Sequence, residues 1–224
     1  MEADERIQYA IEHTEVVRSP QQRLATFGST NIYYYLITEL TEWVNVVREG
    51  RVIAAKPKIV TPCYLINLEG FSPQARRFIE MMDERYPHEP GIFYTYKNEP
   101  KEMNIVSDPV EAIVEKISRR IDSQRDPLTA IIKGVEEMWD VSLLKFTYEM
   151  TKSSVQSNVS EIERHGLLNV DAAGVPKDAR NYIEELFEKT KQDPFWASEL
   201  AAELRRWNLF HEYQDKFLSL FKKR

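Results

Sequence analysis

The chain has a single cysteine, Cys63. One thiol cannot close an intrachain disulfide, so no disulfide framework underlies the fold. Glycine is scarce, at seven residues scattered singly, and none forms a run that could cradle a phosphate, which removes the glycine-rich nucleotide loops. The four histidines, at positions 13, 88, 165 and 211, lack the spacing of metal ligands. His211-Glu212 begins like a zinc-protease helix, but Asp215 stands where the second histidine would be. No apolar run comes near the ~18 residues of a membrane span. The opening MEADERIQYA is acidic and polar, unlike a secretory leader. A basic excess is missing too: the net charge is −6, and each half carries a small surplus of acids. Neither half is therefore a nucleic-acid module by bulk charge. These absences lead us to expect a cytoplasmic protein with no membrane partner, no metal and no cofactor.

Apolar residues make up 42% of the 224, too many for disorder and enough for a substantial core. The chain is organised around Asn31–Asn67, its longest run of β-branched and aromatic residues. On a helix, Ile32, Leu36, Leu40, Trp43, Val44 and Val47 would share one face. Composition favours a strand instead, because three consecutive tyrosines and many β-branched residues lose rotamer freedom on a helix. A long β-hairpin is therefore expected over about 31–67, turning at Glu49-Gly50, where glycine supplies positive φ. Pro57 and Pro62 fall at an edge or irregularity of its second arm.

A short helix is expected at Glu2–His13 and a short strand at Leu24–Phe27. After Gly70, Ser72-Pro73 opens a helix with Phe78, Met81 and Met82 inside, which Tyr86-Pro87 ends. Gly91–Tyr96 reads as a strand, turning at Lys97–Pro100 to pair with Met103–Val106. From Asp108 onward the strand signal fades. Asp108-Pro109, Asp126-Pro127 and Asp193-Pro194 each fit a helix start, and Val110, Ile113, Val114, Ile117 and Ile121 form an amphipathic stripe. A second helix is expected from Leu128 through Phe146, and a third from Ser154 to His165, capped by Gly166. A fourth spans Pro176–Lys191, and a last one begins at Pro194 and breaks near Asn208. The expected class is α+β: an N-terminal antiparallel-sheet domain with flanking helices, residues 1–107, followed by an all-helical domain, 108–224.

Function is far less legible. Cys63, among Val60, Tyr64 and Leu65, fits a small buried hydrophobe better than a nucleophile. The pairs Arg76-Arg77, Arg119-Arg120 and Arg205-Arg206 fall on helices, where neighbours point ~100° apart, so each reads as a solvated face. Residues 147–174, TYEMTKSSVQSNVSEIERHGLLNVDAAG, resemble the winged-helix DNA-binding pattern: a helix, a serine-containing turn, a second helix and a Gly-Leu-Leu step. That resemblance implies DNA binding through Ser154–His165. The stretch departs from the pattern in carrying Glu161 and Glu163 against Arg164 and in lacking a returning strand. The basic tail ending in Lys222, Lys223 and Arg224 offers another contact for phosphate or an acidic partner. On the hairpin, Tyr34, Leu36 and Leu40 point one way, while Tyr33, Tyr35, Ile37 and Trp43 point the other. Both faces are apolar, so either helices cover both or one is left for a partner or a second copy. The reading is a non-enzymatic interaction or regulatory protein with a protein partner or self-association, its contact residues Tyr33, Tyr35, Trp43 and the tail. A nucleic-acid-binding regulator and an enzyme with a dispersed site are the alternatives.

Overall fold

The computed structural model describes residues 3–61, 64, 67, 80, 84 and 90–221. Pro62, Cys63, Gly70, the helix expected from Ser72-Pro73 to Tyr86-Pro87 (all but Glu80 and Glu84) with its Arg76-Arg77 pair, His88 and the tail Lys222, Lys223, Arg224 lie outside the described residues. The class is α+β, with six helices and a five-stranded mixed sheet among the described residues. The chain forms two compact units, each built from two stretches: residues 1–56 with 94–159, and 57–93 with 160–224. Contacts thus group the chain differently from a division at Asp108.

The first unit holds α1 (Ala3–Glu12), β1 (Glu15–Arg18), β2 (Thr30–Thr41), β3 (Val44–Ala54), β6 (Tyr96–Val106), α2 (Val110–Gln124) and β7 (Thr129–Val135), together with most of α3 (Trp139–Arg164). Its sheet runs β1-β7-β2-β3-β6. The pair β2–β7 is parallel, and the other pairs are antiparallel. The hairpin β2–β3 forms as a strand pair, but its turn lies at Glu42-Trp43 rather than at Glu49-Gly50. Glu-Trp carries none of the usual turn chemistry, and neither residue has positive φ. Gly50 instead sits within β3, opposite Tyr34. A Cβ there would come 2.5 Å from Tyr34 Oη and 2.9 Å from the Glu99 carbonyl. The glycine makes room for the Tyr34 side chain, whose hydroxyl donates to Asn98 Oδ1 on β6 at 3.1 Å.

Other differences have similar causes. Lys97–Pro100 is no turn, because β6 runs through it as one 11-residue edge strand. An edge tolerates the missing N–H of Pro100 and the many charges. Leu24–Phe27 is loop, although Leu24 is buried. Residues 129–135 are a strand rather than the first part of a helix. Ala130, Ile131 and Ile132 are all fully buried, so both faces are covered and the apolar run is continuous, a pattern that periodicity cannot separate from a buried helix. The helices expected at 128–146 and 154–165 are one 26-residue helix from Trp139, with no turn inside it, so the helix-turn-helix resemblance is not carried by the fold.

Both sheet faces are covered within this unit. On one, Ile32, Tyr34, Leu36 and Ile132 meet Leu143, Phe146 and Met150 of α3. On the other, Tyr35, Ile37, Val47 and Ile131 meet Val110, Ile113, Ile117 and Ile121 of α2. Arg48 grips Glu136 through two hydrogen bonds of 2.6 and 2.7 Å beneath the Trp139 ring, with Thr38 against the same carboxylate. This ties the short turn before α3 to the hairpin. Lys145 donates to the carbonyls of Ile11 and Thr14 and so closes the end of α1.

The second unit holds β4 (Lys58–Val60), paired antiparallel with β5 (Gly91–Phe93), the last turn of α3, and α4 (Lys177–Gln192), α5 (Ala197–Arg206) and α6 (Phe210–Ser219). Gly166, at φ +64°, ends α3 as expected. Its N–H reaches the Glu163 carbonyl and that of Leu167 reaches Ile162, the paired bonds of a Schellman cap. Asp193 accepts from the Phe195 N–H at 2.9 Å and starts the turn into α5, and Asn208, at φ +57°, makes the break before α6. Ile183, Leu186, Phe187, Leu200 and Leu204 form the fully buried centre. Glu203 lies almost wholly inside, held by Arg206 at 3.1 Å, Lys58 at 3.7 Å and the Tyr64 hydroxyl at 3.3 Å. Burial, and next the Glu203 charge, push the Tyr64 hydroxyl up to about 12. No helix among the described residues is long and apolar enough to cross a membrane.

Candidate functional site

The feature of the first unit that best suits recognition is an open groove of ≈ 490 Å³ beside the carboxyl end of α2. Strand pairing builds its floor. Register places Tyr33 across from Arg51 and Arg51 across from Glu99, and in the next row Tyr35 across from Glu49. Partners across an antiparallel pair share a face, so tyrosine, guanidinium and carboxylate line up on the side that α2 only partly covers. A bulge completes the second row. Glu49 pairs with Glu102 and Gly50 with Pro100, which leaves Lys101 as the extra residue. Bulges re-aim side chains, and the Lys101 ammonium reaches Glu49 at 2.6 Å, relieving the opposition of two glutamates.

The far wall is α2. Ile117 and Ile121 face the core, while Arg120 and Gln124 stand one turn apart along the groove. Arg120 lies over the Tyr35 ring at 5.8 Å, a cation–π contact, and the negative end of the helix dipole favours its charge. Arg125, at φ +53°, turns the chain out of the helix. Asp126 then accepts from the Leu128 N–H at 2.8 Å and leads into β7.

Most charges here are matched. Arg51 donates twice to Glu99, at 2.7 and 2.9 Å, and Lys97 reaches the other oxygen of the same carboxylate at 2.7 Å. Hydrogen bonds from Lys97, then Arg51, hold the Glu99 carboxyl below its ordinary range. The hydrogen bond to Glu49 raises the Lys101 ammonium. Burial first, and the Glu49 charge second, push the Tyr35 hydroxyl upward. Among the described residues, no histidine, cysteine or serine lines the groove, and no group of three His, Cys, Asp or Glu could hold a metal ion.

The structure brings together two of the residues read from sequence. Tyr33, partly exposed, and Tyr35, only 7% exposed, both line the groove. Trp43 does not join them. It sits in the hairpin turn, 65% exposed, roughly 25 Å along the strand by the usual rise per residue. Lys222, Lys223 and Arg224 lie outside the described residues. Glu49, read as a turn residue, Arg120, read as part of a solvated helix face, and Arg51, Glu99 and Lys101 do not show as a site in the sequence, because only strand register and helix packing bring them together. One signal was present in Arg119-Arg120. Arg119 turns to Glu115 on the exposed side of the helix, while Arg120, ~100° around, turns to the groove. Comparison with protein-family models, curated proteins and solved structures finds no match for this chain.

Proposed function

We propose that this chain is a cytoplasmic, non-enzymatic interaction protein that holds a partner polypeptide in the tyrosine and arginine groove of its first unit. The observation that carries the reading is the groove's chemistry. Tyrosine and arginine are the side chains that anchor protein interfaces, and here they line a concavity set in a sheet rather than a loop. Charges of both signs alternate across it, which suits the mixed charges of a polypeptide. A phosphate backbone would meet Glu49, Glu99 and Asp126 there as well as the cations.

A different protein is the better partner than a second copy. Helices α2 and α3 already cover the apolar faces of the hairpin, which removes the main reason for self-association. Pro100, the bulge beside it and the flanking charges guard the long edge strand β6 against pairing.

A photoreactive amino acid placed at Tyr33 in the full chain tests the reading in the source cell. It should give a discrete protein adduct, whereas the same group at Leu144, exposed on α3, should not. Adducts that disappear on nuclease treatment would favour the nucleic-acid alternative.

A further inference from the structure

Resting on that reading, we infer that the partner segment presents an acidic side chain, and that Arg120 receives it. Among the described residues the other guanidiniums near the sheet are occupied. Arg48 is spent on Glu136, Arg51 on Glu99 and Arg18 on Asp122. The Arg120 guanidinium donates no hydrogen bond among the described residues. Its one ion-pair partner among the described residues is Glu49 at 3.9 Å, too far for such a bond, and Glu49 is already held by Lys101 at 2.6 Å. The guanidinium is half exposed, with a side-chain exposure of 52%. It is nonetheless placed, by the Tyr35 ring and by the rigid last turns of α2. A planar fork with free donors, oriented before anything binds, matches a carboxylate through two parallel bonds.

The surroundings select the class of ligand. One free fork accommodates one carboxylate and offers no track for successive phosphates. A phosphate's larger charge would also lie close to Glu49 and Asp126. Tyr33, which lines the same groove, supplies an amphipathic surface for the neighbouring residues of an extended polypeptide. The chain itself is acidic, at net −6, so association with an acidic segment depends on this local arrangement.

Fluorescence anisotropy with the full chain and three labelled probes tests the inference: poly-L-glutamate, poly-L-lysine and a 20-nucleotide oligo(dT). Poly-L-glutamate should bind, more weakly as salt rises. Arg120→Gln should lower that affinity by about tenfold or more, and Arg120→Lys should recover only part, since a point charge replaces a fork. Arg119→Gln, and the combined Lys222→Gln, Lys223→Gln and Arg224→Gln, should leave it unchanged, with matched circular-dichroism melts confirming that every variant folds. Poly-L-lysine and oligo(dT) should not bind. The inference is overturned if poly-L-glutamate fails to bind, if Arg120→Gln binds it as well as the parent, if the tail variant alone abolishes binding, or if oligo(dT) binds through Arg120. If the Tyr33 adduct survives while Arg120→Gln binds poly-L-glutamate normally, the groove stands and only its acidic ligand falls.

Discussion

Gly50 shows how much one residue can decide. Its missing Cβ leaves space for the Tyr34 ring to cross β3 and reach Asn98, with the ring carbon Cζ 2.7 Å from where the methyl would be. Gly50→Ala should therefore destabilise the chain by about 1–3 kcal/mol, the usual cost of overpacking, measured by urea unfolding. In a Tyr34→Ala background the same substitution should cost less, though not nothing, because the Glu99 carbonyl remains 2.9 Å away. Equal costs in both backgrounds would show that the tyrosine is not what the glycine accommodates. Glu203 makes the complementary case in the second unit. Its charge is buried among Arg206, Lys58 and Tyr64, and Glu203→Ala takes the carboxylate from Lys58 and the Tyr64 hydroxyl and leaves Arg206 only Glu199, at 3.6 Å. A loss of about 3–5 kcal/mol is expected, against a smaller one for Glu203→Gln, which keeps the shape and some hydrogen bonding. Neither role was readable in the sequence. A glycine suits a turn as well as a crossing ring, and a glutamate on an amphipathic helix looks solvated until its neighbours are known.

Elements were more legible than residues, and the misreadings follow a rule. Stretches with one buried face were recognisable: the stripe of α2, the helix α4, the glycine cap of α3 and the break at Asn208. Stretches buried on both faces, or on neither, misled unless composition decided, as the tyrosines and β-branched residues did for β2. Thr129–Val135 lies inside the sheet, so its continuous apolar run lost the alternation that marks a strand. Tyr96–Val106 lies at the edge, so its charges and proline resembled a turn. The link between hairpin and α3 depends on the Arg48–Glu136 pair, and pH tests it. The hydrogen bond from Arg48 lowers the Glu136 carboxyl, overcoming the opposing effect of burial. A lowered folded value means that the stabilisation is full above the ordinary glutamate value of ~4.3 and fades as pH falls through the lowered one. The stability gap between the parent and Glu136→Gln should be widest near neutrality and narrow on acidification. A gap independent of pH would mean that the carboxylate's charge contributes nothing there.

At the scale of the whole molecule, the hairpin's two apolar faces are both used internally. The chain should therefore scatter light as a monomer of 26.3 kDa at micromolar concentration, and Trp43→Glu at the hairpin turn should not change that. A stable dimer lost on Trp43→Glu would place the contact at the turn instead of the groove. The site was half visible beforehand. Tyr33 and Tyr35 stood out by composition, while their charged neighbours come from β3, β6 and α2 and meet only through register and a bulge. The most direct measurement is photocrosslinking in the source cell from Tyr33 and from Leu144, side by side. A discrete, nuclease-resistant protein adduct is expected from Tyr33 alone, weakened when Arg51 or Arg120 is replaced by glutamate. No adduct at Tyr33, or the same adducts from both positions, would contradict the proposal.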